Sequence, residues 1–206
     1  LNHGSDPQPR PEETMKNPMS LEGQNVIVTG AAQGVGQAVA KQAIELGAHV
    51  IAVDLKKEGL DALAAAVGQG NVTTIVGSVA DPKFVQDMVD QSVRARGAVH
   101  GLINNAGIVR AAMINKMPVE TWQQVIDVNL TGVFLCLQAV GRHMLQRIEA
   151  GDKSAARIVN VSSIAGRRGT VGQINYGAAK AGVLGMTMSA AREWGAHAAH
   201  DGDAPH

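Results

Sequence analysis

The chain is poor in residues that usually carry reactive chemistry. It has one cysteine, one tyrosine, two tryptophans and two phenylalanines in 206 residues. The single Cys136 excludes an intramolecular disulfide and every multi-cysteine zinc site, and it fits a reducing compartment. An excess of one charge is also lacking, because 18 Lys plus Arg balance 18 Asp plus Glu. A neutral chain has no long-range field to gather nucleic acid or an anionic membrane surface, which disfavours both partners. The longest apolar run, around Val133–Val140, is too short to span a bilayer. With one tyrosine, any phenol chemistry falls on Tyr176. What the chain does have is a hydrophobic content of 45% and 24 glycines. That is enough apolar material for one folded domain, and it excludes disorder of the whole chain.

Residues 1–20 hold four of the seven prolines and almost no apolar residues. They are expected to be a disordered leader or expression remnant, with Met15 and Met19 as candidate natural starts. No apolar stretch marks a secretion signal. From residue 24 strands alternate with helices. Val26–Val28, His49–Val53, Val72–Val76, Val99–Ile103 and Arg157–Val161 read as strands. Val35, Val39, Ala43 and Leu46 recur at helical spacing, Leu60–Val67 reads as a short helix, and Asp81-Pro82 caps another that buries Val85, Met88, Val89, Ser92 and Val93. Pro118 opens a long helical stretch with Val119, Trp122, Val125, Ile126 and Val133 as its apolar stripe. Gln173–Trp194 is the last helix. Alternation of this kind implies an α/β fold, a doubly wound parallel sheet covered on both faces. The expected organisation is one dinucleotide-binding domain over 21–196 and an unstructured tail over 197–206. His197, His200, Asp201 and Asp203 in that tail match no known ligand framework, so no metal site is expected.

The first strand runs into Thr29-Gly30-Ala31-Ala32-Gln33-Gly34-Val35-Gly36. Glycines between a strand and a helix permit positive φ and a close backbone approach to phosphate, and the helix N-terminus offers N–H groups and a positive dipole. This is not a P-loop, since no Gly-Lys-Ser/Thr follows. Asp54 ends strand two, 18 residues after Gly36, where an acid can accept hydrogen bonds from a ribose diol. Farther on, Tyr176 and Lys180 sit four apart and share a helix face. A free phenol has a pKa of about 10, and a nearby cation favours its anion. The pair can exchange a proton with an alcohol or carbonyl oxygen. Ser163 stands at the carboxyl end of strand five, where a hydroxyl can hydrogen-bond a substrate carbonyl. A turn serine is the simpler explanation of a Ser in this loop, and Ser162 fits it better. Asn129 falls on the apolar stripe of the long helix, so its amide needs buried partners. It is either a packing residue or the holder of a relay water beside Lys180. Asn104-Asn105-Ala106-Gly107 ends strand four with turn chemistry and can brace the floor of a nucleotide site.

Taken in order and spacing over residues 24–196, these pieces resemble the short-chain dehydrogenase/reductase family with its T-G-x-x-x-G-x-G turn. The resemblance implies a tetrad of Asn129, Ser163, Tyr176 and Lys180. In it Tyr176 is the acid/base, Ser163 orients the carbonyl, Lys180 binds the nicotinamide ribose, and Asn129 holds a water. It also implies cofactor contacts from Gly30, Gln33, Gly34, Val35, Gly36, Asp54, Asn105, Ala106, Gly107, Tyr176 and Lys180. Gly169 to Tyr176 looks most like the 3-oxoacyl-(acyl-carrier-protein) reductases. Ser78 stands where the family often has an Asp near the adenine. After Trp194 the family's final strands and substrate-covering segment have no counterpart, which implies that this form turns over poorly.

The expected activity is hydride transfer between NAD(H), rather than NADP(H), and a small secondary alcohol or ketone, with a 3-oxoacyl thioester as one candidate. A cytoplasmic homodimer or homotetramer is expected, with Leu135, Leu137, Val140, Leu145, Val183, Leu184 and Met186 offering a second apolar face. One rival is a non-catalytic dinucleotide-binding or regulatory protein on the same fold. The other is a methyltransferase-like nucleotide fold, which the Tyr176–Lys180 pair disfavours.

Overall fold

The computed structural model describes residues 17–154 and 156–199, with side chains described through residue 195. Five strands form one parallel sheet: β1 (Asn25–Thr29), β2 (His49–Asp54), β3 (Val72–Val76), β4 (Gly101–Asn104) and β5 (Arg157–Asn160). Their order is β3-β2-β1-β4-β5. The chain winds outward to β3 and then crosses back to the far side of β1. The reversal leaves a crevice beyond the carboxyl ends of β1 and β4, the place where such sheets bind ligands.

Apolar residues at successive positions of the central strands serve both faces. Val26, Val28, Val50 and Ala52 pack with Leu60 and Leu63 on one side. Ile27, Ile51, Val53 and Leu102 pack with Met88, Cys136 and Val140 on the other. The first face is covered by α1 (Gly34–Glu45) and α2 (Lys57–Val67), the second by α3 (Pro82–Arg96) and α5 (Gly132–Glu149). Asp81 caps α3 as its sequence suggests, accepting from the N–H groups of Lys83 at 2.9 Å and Phe84 at 3.2 Å. Two more helices, α6 (Ala165–Arg168) and α7 (Ile174–Ala199), follow β5.

Several boundaries depart from the sequence expectation, for local reasons. β4 starts at Gly101, not Val99. Val99 donates its N–H to His143 Nε2 (3.1 Å) and gives its carbonyl to Arg147 Nη1 (2.6 Å), so side chains of α5 take its backbone groups. β5 stops at Asn160, and the Val161 carbonyl accepts from Lys180 Nζ at 2.6 Å. In α1 the buried face is Gly36, Ala40 and Ala43, small residues that let the helix lie close to the sheet, while Val35 is 66% exposed. Val119 is 74% exposed rather than part of the buried stripe.

The stretch opened by Pro118 is not one α-helix. A π turn, Asp127–Thr131, joins α4 (Val119–Ile126) to α5. The combined run Val119–Glu149 is long and apolar enough to cross a membrane, yet its buried half includes core residues of the sheet sandwich. Residues 17–20 form a turn, with Ser20 N–H donating to the Asn17 carbonyl. α7 continues through Ala199, three residues into the segment expected to be an unstructured tail. Residues 1–16 and 200–206, with His200, Asp201 and Asp203, lie outside the described residues, as does the His197 side chain. Among the described residues no three acidic, His or Cys side chains converge as metal ligands.

Two histidines close the amino end of the sheet. His100 Nδ1 accepts from the Asn25 N–H at 3.0 Å, and His143 Nε2 accepts from Val99 as above. Each therefore needs a neutral ring nitrogen. Partial burial, with Arg147 nearby, holds both below the ordinary imidazole pKa, and His100 adds to the effect on His143. The folded state thus binds fewer protons than the unfolded chain below about pH 6.5. Stability is fully present above that value and falls as pH drops toward the folded pKa values. Urea midpoints measured from pH 8 to 5 should be flat and then decline, and His100→Asn with His143→Asn should flatten the decline.

Candidate active site

The crevice at the end of β1 is a cleft of about 590 Å³. Gly30, Gln33, Gly34, Val35, Asp54, Asn105, Ala106 and Gly107 all line it, as expected, together with Ser78 and Arg110. Gly36 does not face it. It lies beneath the turn, where an added Cβ would overlap the Gly30 carbonyl and Asn105 Nδ2. Gly30 has φ +69° and Gly34 φ +57°, the left-handed region that glycine tolerates. No side chain caps α1 and no acid sits in its first turn, so its leading N–H groups face the cleft with the positive end of the dipole.

Side chains fix this turn from below. Thr29 Oγ1 accepts from the N–H groups of Asn105 and Ala106, both at 3.1 Å. Asn105 Nδ2 donates to the carbonyls of Thr29 (3.0 Å) and Gly30 (3.2 Å). Asn105 therefore is a brace. Asn104 turns the other way, toward Asn160 Oδ1 at 2.9 Å, and Asn160 continues to Thr187 Oγ1 on α7 at 3.0 Å. Asp54 accepts from the Ala32 N–H through Oδ2 and from the Lys56 N–H through Oδ1, each at 3.0 Å. Lys56 Nζ in turn donates to Gln33 Oε1 at 2.8 Å across the cleft mouth. Ser78 uses its hydroxyl locally, accepting from Ala80 N–H.

Ser163, Tyr176 and Lys180 are not part of the cleft wall; Ser163 follows the end of β5, and Lys180 ties α7 to that end. Lys180 is 3% exposed, and burial lowers its pKa below the usual lysine value. Its ammonium donates to the Val161 carbonyl and lies 5.8 Å from the centre of the Tyr176 ring. Ser163 Oγ accepts from Ala165 N–H at 3.2 Å, which leaves its O–H available as a donor. The local turn bond thus belongs to Ser163, whereas Ser162 reaches the Lys180 carbonyl at 2.7 Å and ties β5's end to α7. Ser162 is thus more than a local turn serine, while Ser163 makes the turn bond and keeps its O–H free.

Asn129 sits within the π turn, fully buried. Its Oδ1 accepts from Ile108 N–H (2.8 Å) and its Nδ2 donates to the Ile108 carbonyl (2.9 Å). Both ends of the amide are therefore engaged by the loop after β4. Asn175, which sequence reasoning passed over, is the other fully buried amide of this region. Its position directly before Tyr176, at the start of a helix, was the available signal.

This geometry has known relatives. The model of the family described as short chain dehydrogenase matches residues 24–199. The 3-oxoacyl-[acyl-carrier-protein] reductase FabG of Thermotoga maritima is 43% identical over 177 residues, 85% of this chain and 70% of that protein. The enzyme of the same name from Vibrio harveyi is 39% identical, over 85% of this chain and 69% of its own length. Among solved structures, NAD+-bound xylitol dehydrogenase superposes with a TM-score of 0.78 at 31% identity, covering 84% of this chain and 65% of that one. A sheet of this order, a glycine turn braced by Thr29 and Asn105, and matches spanning more than four-fifths of the sequence converge on one assignment: the chain belongs to the short-chain dehydrogenase family.

Proposed function

We propose that the cleft holds NAD(H), and that Tyr176, Ser163 and Lys180 act on the carbonyl or alcohol oxygen of a substrate carrying an apolar acyl chain. The carrying observation is the buried Lys180, hydrogen-bonded at the end of β5 with its charge beside the only phenol in the chain. The cleft fits a dinucleotide: Gly36 lets α1 pack directly beneath the glycine turn, and α1 presents uncapped N–H groups to a pyrophosphate. Gly30, Gln33, Gly34 and Val35 would hold the phosphates, Asp54 the adenosine ribose, and Asn105, Ala106 and Gly107 the floor. When bound, the nicotinamide supplies or takes the hydride.

The chain's own residues handle the proton and the orientation. Ser163 O–H donates to the substrate oxygen and holds it against Tyr176. Tyr176 transfers the proton, and the Lys180 charge stabilises the anion left behind. The Asn129 side chain is engaged by Ile108, so a water-holding role falls to its main chain, within a turn that already departs from the α pattern.

The acyl reading rests on exposed apolar residues in the loops after β4 and before α7. Val109, Met113, Ile114 and Val171 are all exposed, and the Ala112 N–H to Gly172 carbonyl bond (2.9 Å) joins the two loops that carry them. A polyol has nothing to bury there, and an acyl thioester does. On this reading the protein is a cytoplasmic homodimer or homotetramer, with exposed Phe134 and Ile148 of α5 and Met188 of α7 in the contact, because Leu137, Val140 and Val183 of the expected second face are buried within the protomer.

NADH is preferred to NADPH because both Asp54 oxygens are fixed by backbone N–H groups. The carboxylate cannot swing aside for a 2′-phosphate, and Lys56, drawn to Gln33, only softens the repulsion. We expect kcat/KM to favour NADH by about tenfold or more, a difference of about 1.4 kcal/mol. A steady-state panel of both cofactors against acetoacetyl thioesters, small ketones and polyols tests the whole reading. A preference for NADPH would overturn the role of Asp54, and turnover of polyols alone would overturn the acyl chain.

A further inference from the structure

Two buried amides hold the same loop. Asn129 takes the backbone N–H and carbonyl of Ile108. Two residues on, Asn175 Nδ2 donates to the Arg110 carbonyl at 3.0 Å and to the Thr121 carbonyl at 3.3 Å. Asn175 Oδ1 accepts the Tyr176 N–H at 2.8 Å. That N–H is one of the first four of α7, which have no partner inside the helix. The Asn175 side chain is fully buried, with both ends in use. An ordinary helix start would be capped by a short side chain from the residue before the helix. Here the capping amide sits inside the first turn and reaches out to two other elements, the loop after β4 and α4.

We infer that Asn175 is a positioning residue: it fixes the start of α7, and with it the Tyr176 phenol, against the loop 108–112 and α4. This rests on the reading of Tyr176 as the proton donor. Arg110 and Ile108 line the cleft, so the loop that Asn175 holds also borders the nucleotide. One side chain thereby sets the register between the proton-transfer group and the cleft. Without it the helix start has an unpaired N–H, and the Arg110 and Thr121 carbonyls lose a donor, so Tyr176 can settle at a different height relative to the cleft. A misplacement of about 1 Å costs about 10²-fold in such chemistry.

The test is a double-mutant cycle with a binding readout. Asn175→Ala should lower kcat by about 10²-fold while the dissociation constant for NADH, read by fluorescence titration, stays near that of the wild type. Asn175→Ala added to Tyr176→Phe should lower the residual turnover little further, because a residue that acts through Tyr176 has nothing left to position. If the two losses multiply, or if Asn175→Ala keeps wild-type kcat, the inference is overturned. Should Asn175→Ala fail to bind NADH, Asn175→Ser carries the same cycle: its hydroxyl can still accept from the Tyr176 N–H but is too short to reach Arg110 and Thr121. A wild-type rate for Asn175→Ser also overturns it. If Tyr176→Phe is itself fully active, the assignment of Tyr176 fails instead, and the two failures are distinguishable.

Discussion

Tyr176→Phe should abolish nearly all turnover, a loss of about 10²–10⁴-fold, with NADH affinity close to that of the wild type. The ring keeps its shape and its place over Lys180, 5.8 Å from the ammonium, so packing is retained. Only the hydroxyl goes, and no second tyrosine can replace it. The cleft wall is made by other residues, which is why binding should survive. Stopped-flow or steady-state oxidation of NADH with an acetoacetyl thioester, beside a fluorescence titration, separates the two effects. Activity close to wild type would remove Tyr176 from the chemistry.

Gly36→Ala should act in the opposite way, by destroying the cofactor site. The added methyl would overlap the Gly30 carbonyl and the Asn105 amide, and the first of these is backbone that cannot rotate away. Either α1 shifts off the sheet or the turn opens. Overpacking of this kind costs about 1–3 kcal/mol of stability, and the phosphate cradle loses its shape as well. NADH affinity should fall by about 100-fold, equivalent to about 2.7 kcal/mol. Gly70→Ala is the control, since nothing lies within 4 Å of its added Cβ. Calorimetric NADH binding to both variants decides, and near-normal affinity in Gly36→Ala would show that the turn is not packed as described.

The parts that were legible in advance are those in which one stretch of chain dictates its own structure. Val26-Ile27-Val28 is apolar at every position because both faces of the sheet are covered. Asp81-Pro82 is a helix start by its own chemistry. The glycine turn with Asp54 was visible because close backbone approach leaves no alternative residue type. What escaped was decided between distant segments. Helical periodicity runs on through residues 118–149, but the π turn is set by Asn129 meeting Ile108, 21 residues away. In α1 only Ala43 of the apolar residues at helical spacing is buried, because closeness to the sheet calls for Gly36, Ala40 and Ala43 rather than for bulk. The tie made by Ser162 depends on where the Lys180 carbonyl arrives, and that of Asn175 on where Arg110 and Thr121 do. No local pattern carries those positions.

The sheet has a chemical polarity. His100 grips β1 at Asn25, and His143 grips the approach to β4 at Val99. The turn braced by Thr29 begins at the other end of β1, five residues of strand away, a separation of about 13–17 Å. Groups that sense mild acid structurally and groups that move the proton in turnover are thus at opposite poles of the same strands. Turnover depends on the pole with the phenol, while the acid limb of a stability profile reports the other. Acid should loosen the protein from its far end first, with the nucleotide cradle the last part of β1 to let go.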